Sequence, residues 1–187
     1  MDYKGYDIEI MPDDSAESPR ENDNLGVMTC GHRRYNLGDK AHAVKFGEFE
    51  SWDALKKHLI AEGAVIVLPL YLYDHSGLRI KVGSFAGLLP EGHAEFDSGM
   101  VGFVYATREK VLAEYGGKIL SAKKLARARG VLECEVACYD TWLRGGYVGF
   151  VIEKDGEHVD SCWGIDDPDY ALREAKGVVD SLVEKAA

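Results

Sequence analysis

The sequence lacks the features that would place it in a membrane or a secreted, disulfide-rich class. No apolar run approaches the roughly 18 residues that a membrane-spanning helix needs, and the N-terminus has no basic-then-apolar layout of a signal peptide. The four cysteines form no C-x-x-C pair and no regular framework, which is typical of reduced thiols. We therefore expect a cytoplasmic protein of a bacterial host cell that contacts no membrane.

Motifs of the common cofactor-binding and catalytic folds are also missing. The chain has no Walker loop, no G-x-G-x-x-G, no H-E-x-x-H and no G-x-S-x-G nucleophile elbow. Cys134 and Cys138 are one helical turn apart, but no second pair has matching spacing, so core cysteines are favoured over a metal site. We expect no cofactor and no metal centre, and an enzyme is the less favoured class.

Charge is abundant and unevenly distributed, with a net value of −10. Residues 1–24 and 153–187 are strongly acidic, whereas 108–129 carries seven Lys or Arg against two Glu. These segments are either ordinary solvated surfaces or an acidic face that competes for a basic, nucleic-acid-binding partner. Direct binding to duplex DNA is not expected because phosphates would be repelled. A local anion contact is expected at four residues: Lys123, Lys124, Arg127 and Arg129.

The hydrophobic pattern predicts an α+β fold in a single domain, 1–187, with a mainly antiparallel sheet and about four helices. Helices are predicted at 52–62 with Ser51 as the cap, at 107–115 starting at Thr107, at 121–143 and after Asp167-Pro168. Hairpins are predicted at 65–83 and around Asp155-Gly156. Pro69 suggests that its strand lies at an edge or contains a bulge. The polar stretch 11–24 predicts a flexible acidic loop or arm, and 84–98 predicts a loop.

The tetrapeptide V-G-F-V occurs twice, at 101–104 and 148–151. A glycine in a strand interior is entropically costly, but it lets a neighbouring backbone or aromatic ring come close, or allows a bulge. We expect two such strands to lie side by side in the sheet centre, with Phe103 and Phe150 in equivalent positions.

Candidate catalytic residues lie in turns beside these strands. If the protein is an enzyme, the candidates are Asp74, His75, Asp97 and Asp160, from the pieces "YDHSG", "FDSG" and "VDSCWG". Their carboxylates can in principle converge on a divalent cation. The alternative is structural, because Asp and Ser bond to their own backbone in turns and Gly accepts positive φ. Turns are the favoured interpretation.

Several blocks in a fixed order resemble one family of small proteins carried by bacteriophages, prophages and conjugative elements. The blocks are "SPRENDNLG" (18–26), "HRRYNLGD" (32–39), "LPLYLYDHSG" (68–77), "FDSGMVGFVY" (96–105), "CYDTWLRGGYVGFV" (138–151) and "DSCWG" (160–164). The resemblance covers most of the chain from 18 to 164. It implies a gene-transfer context, and it implies no particular reaction.

By analogy with small acidic accessory proteins of such elements, the leading hypothesis is an anti-CRISPR or antirestriction inhibitor that binds a host defence effector protein. The expected partner-binding residues are Asp13, Asp14, Glu17, Glu21, Asp23, Asp166, Asp167, Asp169, Tyr73 and Trp163. The alternatives are a small metal- or Cys/His-dependent hydrolase or nuclease-like enzyme, and a housekeeping protein that binds a phage component.

Overall fold

The computed structural model describes residues 1–45, 47–89 and 92–186, except for the side chains of Glu95 and Ala186. In chain order the strands are β1 (Asp2–Tyr3), β2 (Tyr6–Pro12), β3 (Val27–Cys30), β4 (Ala64–Asp74), β5 (Leu78–Val82), β6 (Ser98–Thr107), β7 (Val148–Lys154) and β8 (Glu157–Ile165). The helices are α1 (Trp52–Ala61), α2 (His93–Phe96), α3 (Arg108–Tyr115), α4 (Ala122–Leu143) and α5 (Pro168–Ala186). The predicted α+β class with mainly antiparallel pairing is confirmed.

The chain divides into two compact units, and each is described by itself. The terminal unit comprises Met1–Ser18 and Thr141–Ala187, and the central unit comprises Pro19–Asp140. The expectation of a single domain, 1–187, stays a prediction. Across the described ranges, no helix is both long enough and apolar enough to cross a membrane.

The terminal unit is a four-stranded antiparallel sheet in the order β1-β2-β7-β8, with α5 packed on it. Apolar residues alternate with exposed ones along β2, so that Ile8 is buried while its neighbours Asp7 and Glu9 face solvent. Helix α5 contributes small residues at helical spacing to the same core. The buried cluster consists of Tyr6, Ile8, Phe150, Ile152, Ala171, Ala175 and Val179.

Strand β8 is the edge of this sheet and is bulged twice. The predicted tight turn is confirmed, since Asp155 and Gly156 both have positive φ between β7 and β8. Beyond the turn, Val159 is one extra residue relative to β7, and a second extra residue falls between Cys162 and Ile165. Regular pairing of β8 is therefore limited to short stretches.

The central unit is a second antiparallel sheet, in the order β3-β6-β4-β5. Helix α1 begins at the predicted Ser51 cap, whose side chain accepts a hydrogen bond from the Ala54 amide at 3.1 Å. Phe103 packs with Leu55 and Leu59 of this helix. The two V-G-F-V strands thus lie in different sheets, β6 and β7, and the prediction that they pair side by side is wrong.

Pro69 lies in the interior strand β4, so the prediction of an edge position is wrong, whereas the expected bulge lies close by, at Leu70/Tyr71. The Pro69 carbonyl accepts a hydrogen bond from the Gly83 amide at 2.9 Å, just past the end of β5. The nitrogen of a residue points to the same side as its carbonyl in an antiparallel strand. The missing N–H of Pro69 therefore lies on the β5 side, at a position where β5 has already ended. The hydrogen bonds between β4 and β6 do not need it.

A buried ion network joins α4 to the start of the central unit. The Arg20 side chain, 3% exposed, donates to Asp39 through Nε at 2.7 Å and contacts Glu135 at 3.5 Å. The Glu135 carboxylate also accepts from the backbone amides of Leu25 and Gly26. Charged groups at this depth are tolerated because each is paired and hydrogen-bonded.

The segment 11–24, predicted to be a flexible acidic loop or arm, contains residues with regular secondary structure and a side-chain hydrogen bond. Met11 and Pro12 belong to β2, and the Trp142 indole donates to the Ala16 carbonyl at 2.8 Å in the terminal unit. In the central unit, residues Pro19–Glu21 form a 3-10 turn. The remainder of the segment is irregular, as a loop should be.

Candidate functional site

The pieces "YDHSG" and "FDSG" meet at one end of the central sheet. Strand β4 ends at Asp74 and the antiparallel β6 begins at Ser98, so Tyr73 pairs with Ser98. The Asp74 amide donates to the Asp97 carbonyl at 2.8 Å. Antiparallel pairing therefore brings three of the four candidate catalytic residues, Asp74, His75 and Asp97, to the same place.

The short helix α2 adds a second histidine to this group. His93 and Asp97 are four residues apart, and the Asp97 amide donates to the His93 carbonyl at 2.9 Å. One carboxylate oxygen of Asp97 lies 3.1 Å from His75 Nδ1 and 3.8 Å from His93 Nδ1. Ligand atoms of all three residues lie within 4.8 Å of one another. We call His75, His93 and Asp97 the His-His-Asp cluster.

Tyr73 holds the two imidazoles of this cluster in place. Its ring stacks on His75 with centroids 5.9 Å apart, and its hydroxyl lies 3.1 Å from His93 Nδ1. The imidazoles of His75 and His93 meet edge to face at 4.9 Å. Tyr73, expected to be a partner-binding anchor, is thus half-buried and engaged within the cluster.

Asp74 faces a different set of partners beside the cluster. Its carboxylate accepts from Arg34 Nη2 and from the Tyr35 hydroxyl, the latter at 3.1 Å. His32 stacks on the Tyr35 ring at 4.9 Å, and partial burial, with Arg34 nearby, lowers the pKa of His32. His32 is therefore a neutral imidazole at neutral pH.

A pocket of 320 Å³ joins these groups to the cluster. Its polar lining includes Asp97 of the cluster together with Arg34 and Asp74. Apolar residues complete the lining, among them Leu72, Phe96, Met100 and Val101. A cleft with a few convergent polar groups and an apolar wall is the usual form of a small-molecule site.

Two imidazoles and a carboxylate form a donor set that suits zinc and other first-row divalent ions. Three protein ligands also leave room for water or substrate, as in catalytic rather than structural sites. Ligand atoms around a tetrahedral ion are roughly 3.4 Å apart at the usual metal–ligand distances. The 3.1 Å and 3.8 Å separations bracket that value, so His75 and His93 need only small side-chain adjustments.

Asp160, the fourth candidate catalytic residue, lies on β8 of the terminal unit. It is exposed, and its Oδ1 accepts from the adjacent Ser161 amide at 2.8 Å. This contact matches the structural interpretation of the Asp-Ser pair, in which the carboxylate bonds to its own backbone.

The acids expected to bind a partner are divided between the two units. In the terminal unit, Asp13 is buried and accepts from the Gly164 and Ser15 amides, so it fixes the backbone. Asp167 caps α5 by accepting from the Asp169 amide. The other acids of the set are exposed: Asp14, Glu17, Asp166 and Asp169 in the terminal unit, and Glu21 and Asp23 in the central unit. Glu21 pairs with Lys40 at 3.3 Å.

Trp163 is the most exposed aromatic side chain described in the terminal unit's strands, at 46%. Its ring lies over Gly149, where an added Cβ would be 2.3 Å from the indole. Asp14 and Trp163 line one pocket of 400 Å³ together with Pro12, Asp13 and Ser15. Two of the expected partner-binding residues, an exposed acid and an aromatic ring, therefore share a surface.

The basic residues at the start of α4 have local partners. Lys124 Nζ donates to the carbonyls of Gly116 and Ile119, which follow α3. Arg127 stacks over Tyr115 at 4.8 Å, and Arg129 pairs with Glu133 at 2.9 Å. Lys123 is exposed. Cations at this helix start therefore stabilise neighbouring groups of the chain, and the anion contact expected there stays a prediction.

Three residues of this region were not among the candidates predicted from the sequence: His93, Arg34 and Tyr35. His93 lies within 84–98, expected to be a loop, of which Pro90 and Glu91 lie outside the described residues. The spacing H-x-x-x-D at 93–97 is the signal that indicates two ligands on one helical turn. Arg34 and Tyr35 carry no local signal, since only folding brings them to Asp74.

Comparison with known proteins yields no relative: no protein-family model matches the chain, and no curated protein or solved structure matches it significantly.

Proposed function

We propose that the chain is a small metal-dependent hydrolase whose active site is the His-His-Asp cluster. The observation that carries this proposal is the convergence of His75, His93 and Asp97, with ligand atoms within 4.8 Å, beside a polar pocket. The sequence alone favoured a non-enzymatic protein, because turns explain isolated Asp and Ser residues. Turn formation does not explain why two imidazoles and a carboxylate face one another.

In this proposal each residue has a separate role. A divalent ion would acidify water and polarise the substrate, as Zn²⁺ does in hydrolases. His75, His93 and Asp97 would hold the ion, and Tyr73 would fix the orientation of the His75 ring by stacking on it. His32 in the pocket accepts a hydrogen bond from the Arg34 amide at Nδ1, so its neutral ring carries the proton on Nε2 and can donate a hydrogen bond to the substrate.

The experiment that tests this proposal is titration of the purified, metal-free protein with Co²⁺, followed by visible absorption. We expect one equivalent to bind and give ligand-field bands, and His93→Gln and Asp97→Asn to weaken binding at least about 10-fold. His158→Gln, an exposed histidine on β8, is the matched control and should bind as the unmodified protein does. Failure of the unmodified protein to bind, or equal binding by all variants, contradicts the proposal.

Catalysis itself requires a second measurement. Chromogenic p-nitrophenyl acetate, phosphate and bis-phosphate esters distinguish carboxylic from phosphoric ester hydrolysis. We expect turnover of at least one ester with metal, its loss on chelation, and its loss in Asp97→Asn. A protein that binds the metal but hydrolyses none of these esters, with or without added metal, would contradict the hydrolase assignment.

We also propose that the terminal unit binds a protein partner through the surface formed by Asp14 and Trp163. The exposed indole next to an exposed carboxylate favours this function, because aromatic side chains at the centre of an interface contribute most of its affinity. The partner we propose is a host defence effector whose basic nucleic-acid-binding surface attracts this acidic protein, as an anti-CRISPR or antirestriction inhibitor requires.

Binding assays with purified CRISPR and restriction effectors test this second proposal. Trp163→Ala should weaken a complex at least about 10-fold, and Asp14→Lys should weaken it most at low salt. Glu153→Lys, an exposed acid on β7 outside the pocket lining, is the control for charge. If Asp14→Lys and Glu153→Lys behave alike, the proposed surface is not the interface.

A further inference from the structure

The pocket beside the His-His-Asp cluster has the charges of an anion site only when a metal ion is present. Among the described residues of its lining, Arg34 is the one permanently positive side chain, and the lining also contains the carboxylates of Asp74 and Asp97. These three groups alone carry one net negative charge. A divalent ion on the cluster reverses the sign to one net positive charge, which favours an anionic ligand.

Arg34 has donors available for such a ligand. Among the described residues, its guanidinium donates one hydrogen bond, from Nη2 to Asp74, and the side chain is 69% exposed. The guanidinium is a planar fork whose remaining N–H groups match two oxygens of a phosphate. Asp74 and the Tyr35 ring, 5.4 Å from the guanidinium carbon, hold Arg34 from one side.

An exposed aromatic ring completes the pocket. Phe96 is 87% exposed, although it belongs to the same helical turn as His93 and lines the pocket with Asp97. A phenylalanine left this open has no core role, and a flat ring at the mouth of a polar pocket is a platform for another flat ring. Any nucleobase can stack on such a ring, because every base has a flat π-face.

We infer that the pocket takes a nucleoside phosphate, with the phosphate between the metal and Arg34 and the base stacked on Phe96. This inference rests on the proposed hydrolase function and names its substrate class. In the reaction, water forms the new P–O bond, the bond from phosphorus to the nucleoside oxygen breaks, and that oxygen takes one proton of the water. A mononucleotide fits better than a polymer, because the net charge of −10 repels a long chain of phosphates.

Calorimetric titration with four probes tests the inference: 5′-AMP, ribose 5-phosphate, inorganic phosphate and a short single-stranded oligonucleotide, each with saturating Mn²⁺. We expect 5′-AMP to bind roughly 10-fold more tightly than ribose 5-phosphate, the gain that stacking of one base supplies. Phe96→Ala should remove this difference and leave ribose 5-phosphate binding unchanged. Arg34→Gln should weaken both ligands roughly 10-fold. Leu88→Ala, an exposed apolar residue outside the pocket lining, is the control.

The inference is overturned if 5′-AMP and ribose 5-phosphate bind equally, if Phe96→Ala leaves their ratio unchanged, or if the oligonucleotide binds more tightly than 5′-AMP. A chelated sample separates this failure from failure of the hydrolase proposal. 5′-AMP and ribose 5-phosphate carry the same phosphate, so loss of the metal should weaken the binding of both by the same factor. The ratio of their affinities, which reports stacking of the base, should then be unchanged. Absence of ligand-field bands with Co²⁺ therefore contradicts the metal site. Equal affinities for 5′-AMP and ribose 5-phosphate contradict the proposed binding of a nucleoside.

Discussion

The same four residues, V-G-F-V, form the middle of β6 in the central unit and the start of β7 in the terminal unit. In β6 a Cβ on Gly102 would lie 2.0 Å from the Thr29 carbonyl oxygen of the neighbouring strand. In β7 a Cβ on Gly149 would lie 2.3 Å from the Trp163 ring. Each glycine is needed for a close approach, but one neighbour is backbone and the other is a side chain at the surface.

This difference shows what a short motif can determine. The phenylalanine after each glycine is buried, Phe103 against α1 and Phe150 against α5, as one side of a strand requires. The neighbour that the glycine admits is set by the strand next to it, which lies far away in the sequence. We therefore expect mutations at these close contacts to reduce stability more in the central unit, where the neighbour is rigid backbone, than in the terminal unit, where it is a side chain.

The largest effect is expected for Arg20→Ala in the central unit. This change leaves Asp39 and Glu135 largely buried without their partner, which should cost about 3–5 kcal/mol of unfolding free energy. The comparison is Lys4→Ala in the terminal unit, which breaks the exposed Lys4–Asp180 pair and should produce no measurable change. Urea denaturation monitored by circular dichroism measures both. Equal effects would mean that burial of the ion network adds nothing.

Gly102→Ala is expected to be nearly as damaging. The Thr29 carbonyl belongs to a paired strand and cannot move aside, so the new methyl must displace β3, at a cost of about 3 kcal/mol. Thermal and urea denaturation should show the loss. A stability change under about 1 kcal/mol would contradict the close backbone packing of β6 and β3.

Gly149→Ala should cost less, about 1–2 kcal/mol, because the exposed Trp163 ring can rotate away from the methyl group. The Cys162 carbonyl, 2.7 Å from the new Cβ, keeps the cost above zero. In a double-mutant cycle, Trp163→Ala should reduce the effect of Gly149→Ala. Strict additivity of the two changes would show that the ring is not the obstacle.

The effect that is smallest at neutral pH concerns two cysteines and appears only in alkaline solution. Burial raises the pKa of Cys30 in the central unit from near 9 to about 12, whereas Cys162 in the terminal unit is exposed. The folded state holds the Cys30 proton more tightly than the unfolded state, so its contribution to stability is complete below pH 9 and is lost as the pH rises toward 12. A thiol reagent should label Cys162 and spare Cys30 until the protein unfolds. Cys30→Ser should change the slope of stability against pH above 9, and an unchanged slope would contradict the assignment.

Features encoded by neighbouring residues were predictable from the sequence. The Ser51 and Thr107 caps, the Asp155-Gly156 turn and the hairpin between β4 and β5 all occur where they were predicted. Each depends on a few adjacent residues, and their physics is local. Division into two sheets was not predictable, because β2 pairs with β7 across more than half of the chain. The interior position of Pro69 was likewise not predictable, because it depends on where the neighbouring strand β5 ends.

The candidate site was predictable in part for the same reason. Asp74, His75 and Asp97 stand out because turns and strand ends reveal them, and antiparallel pairing brings them together. His93 was obscured by glycines and prolines on either side, which favour a loop interpretation. Arg34 reaches Asp74 from 40 positions away, so no local pattern could indicate that pair.

The two bulges of β8 affect how this protein behaves at high concentration. An outermost strand with regular, unpaired amides and carbonyls is a template on which a second chain can add, and the product is a growing aggregate. In β8 the extra residues at Val159 and between Cys162 and Ile165 leave two short stretches in regular register, Glu157 to His158 and Asp160 to Cys162. An incoming strand would find at most three consecutive aligned residues, one of them charged. The bulges therefore make this edge of the sheet a poor template for addition of a second chain.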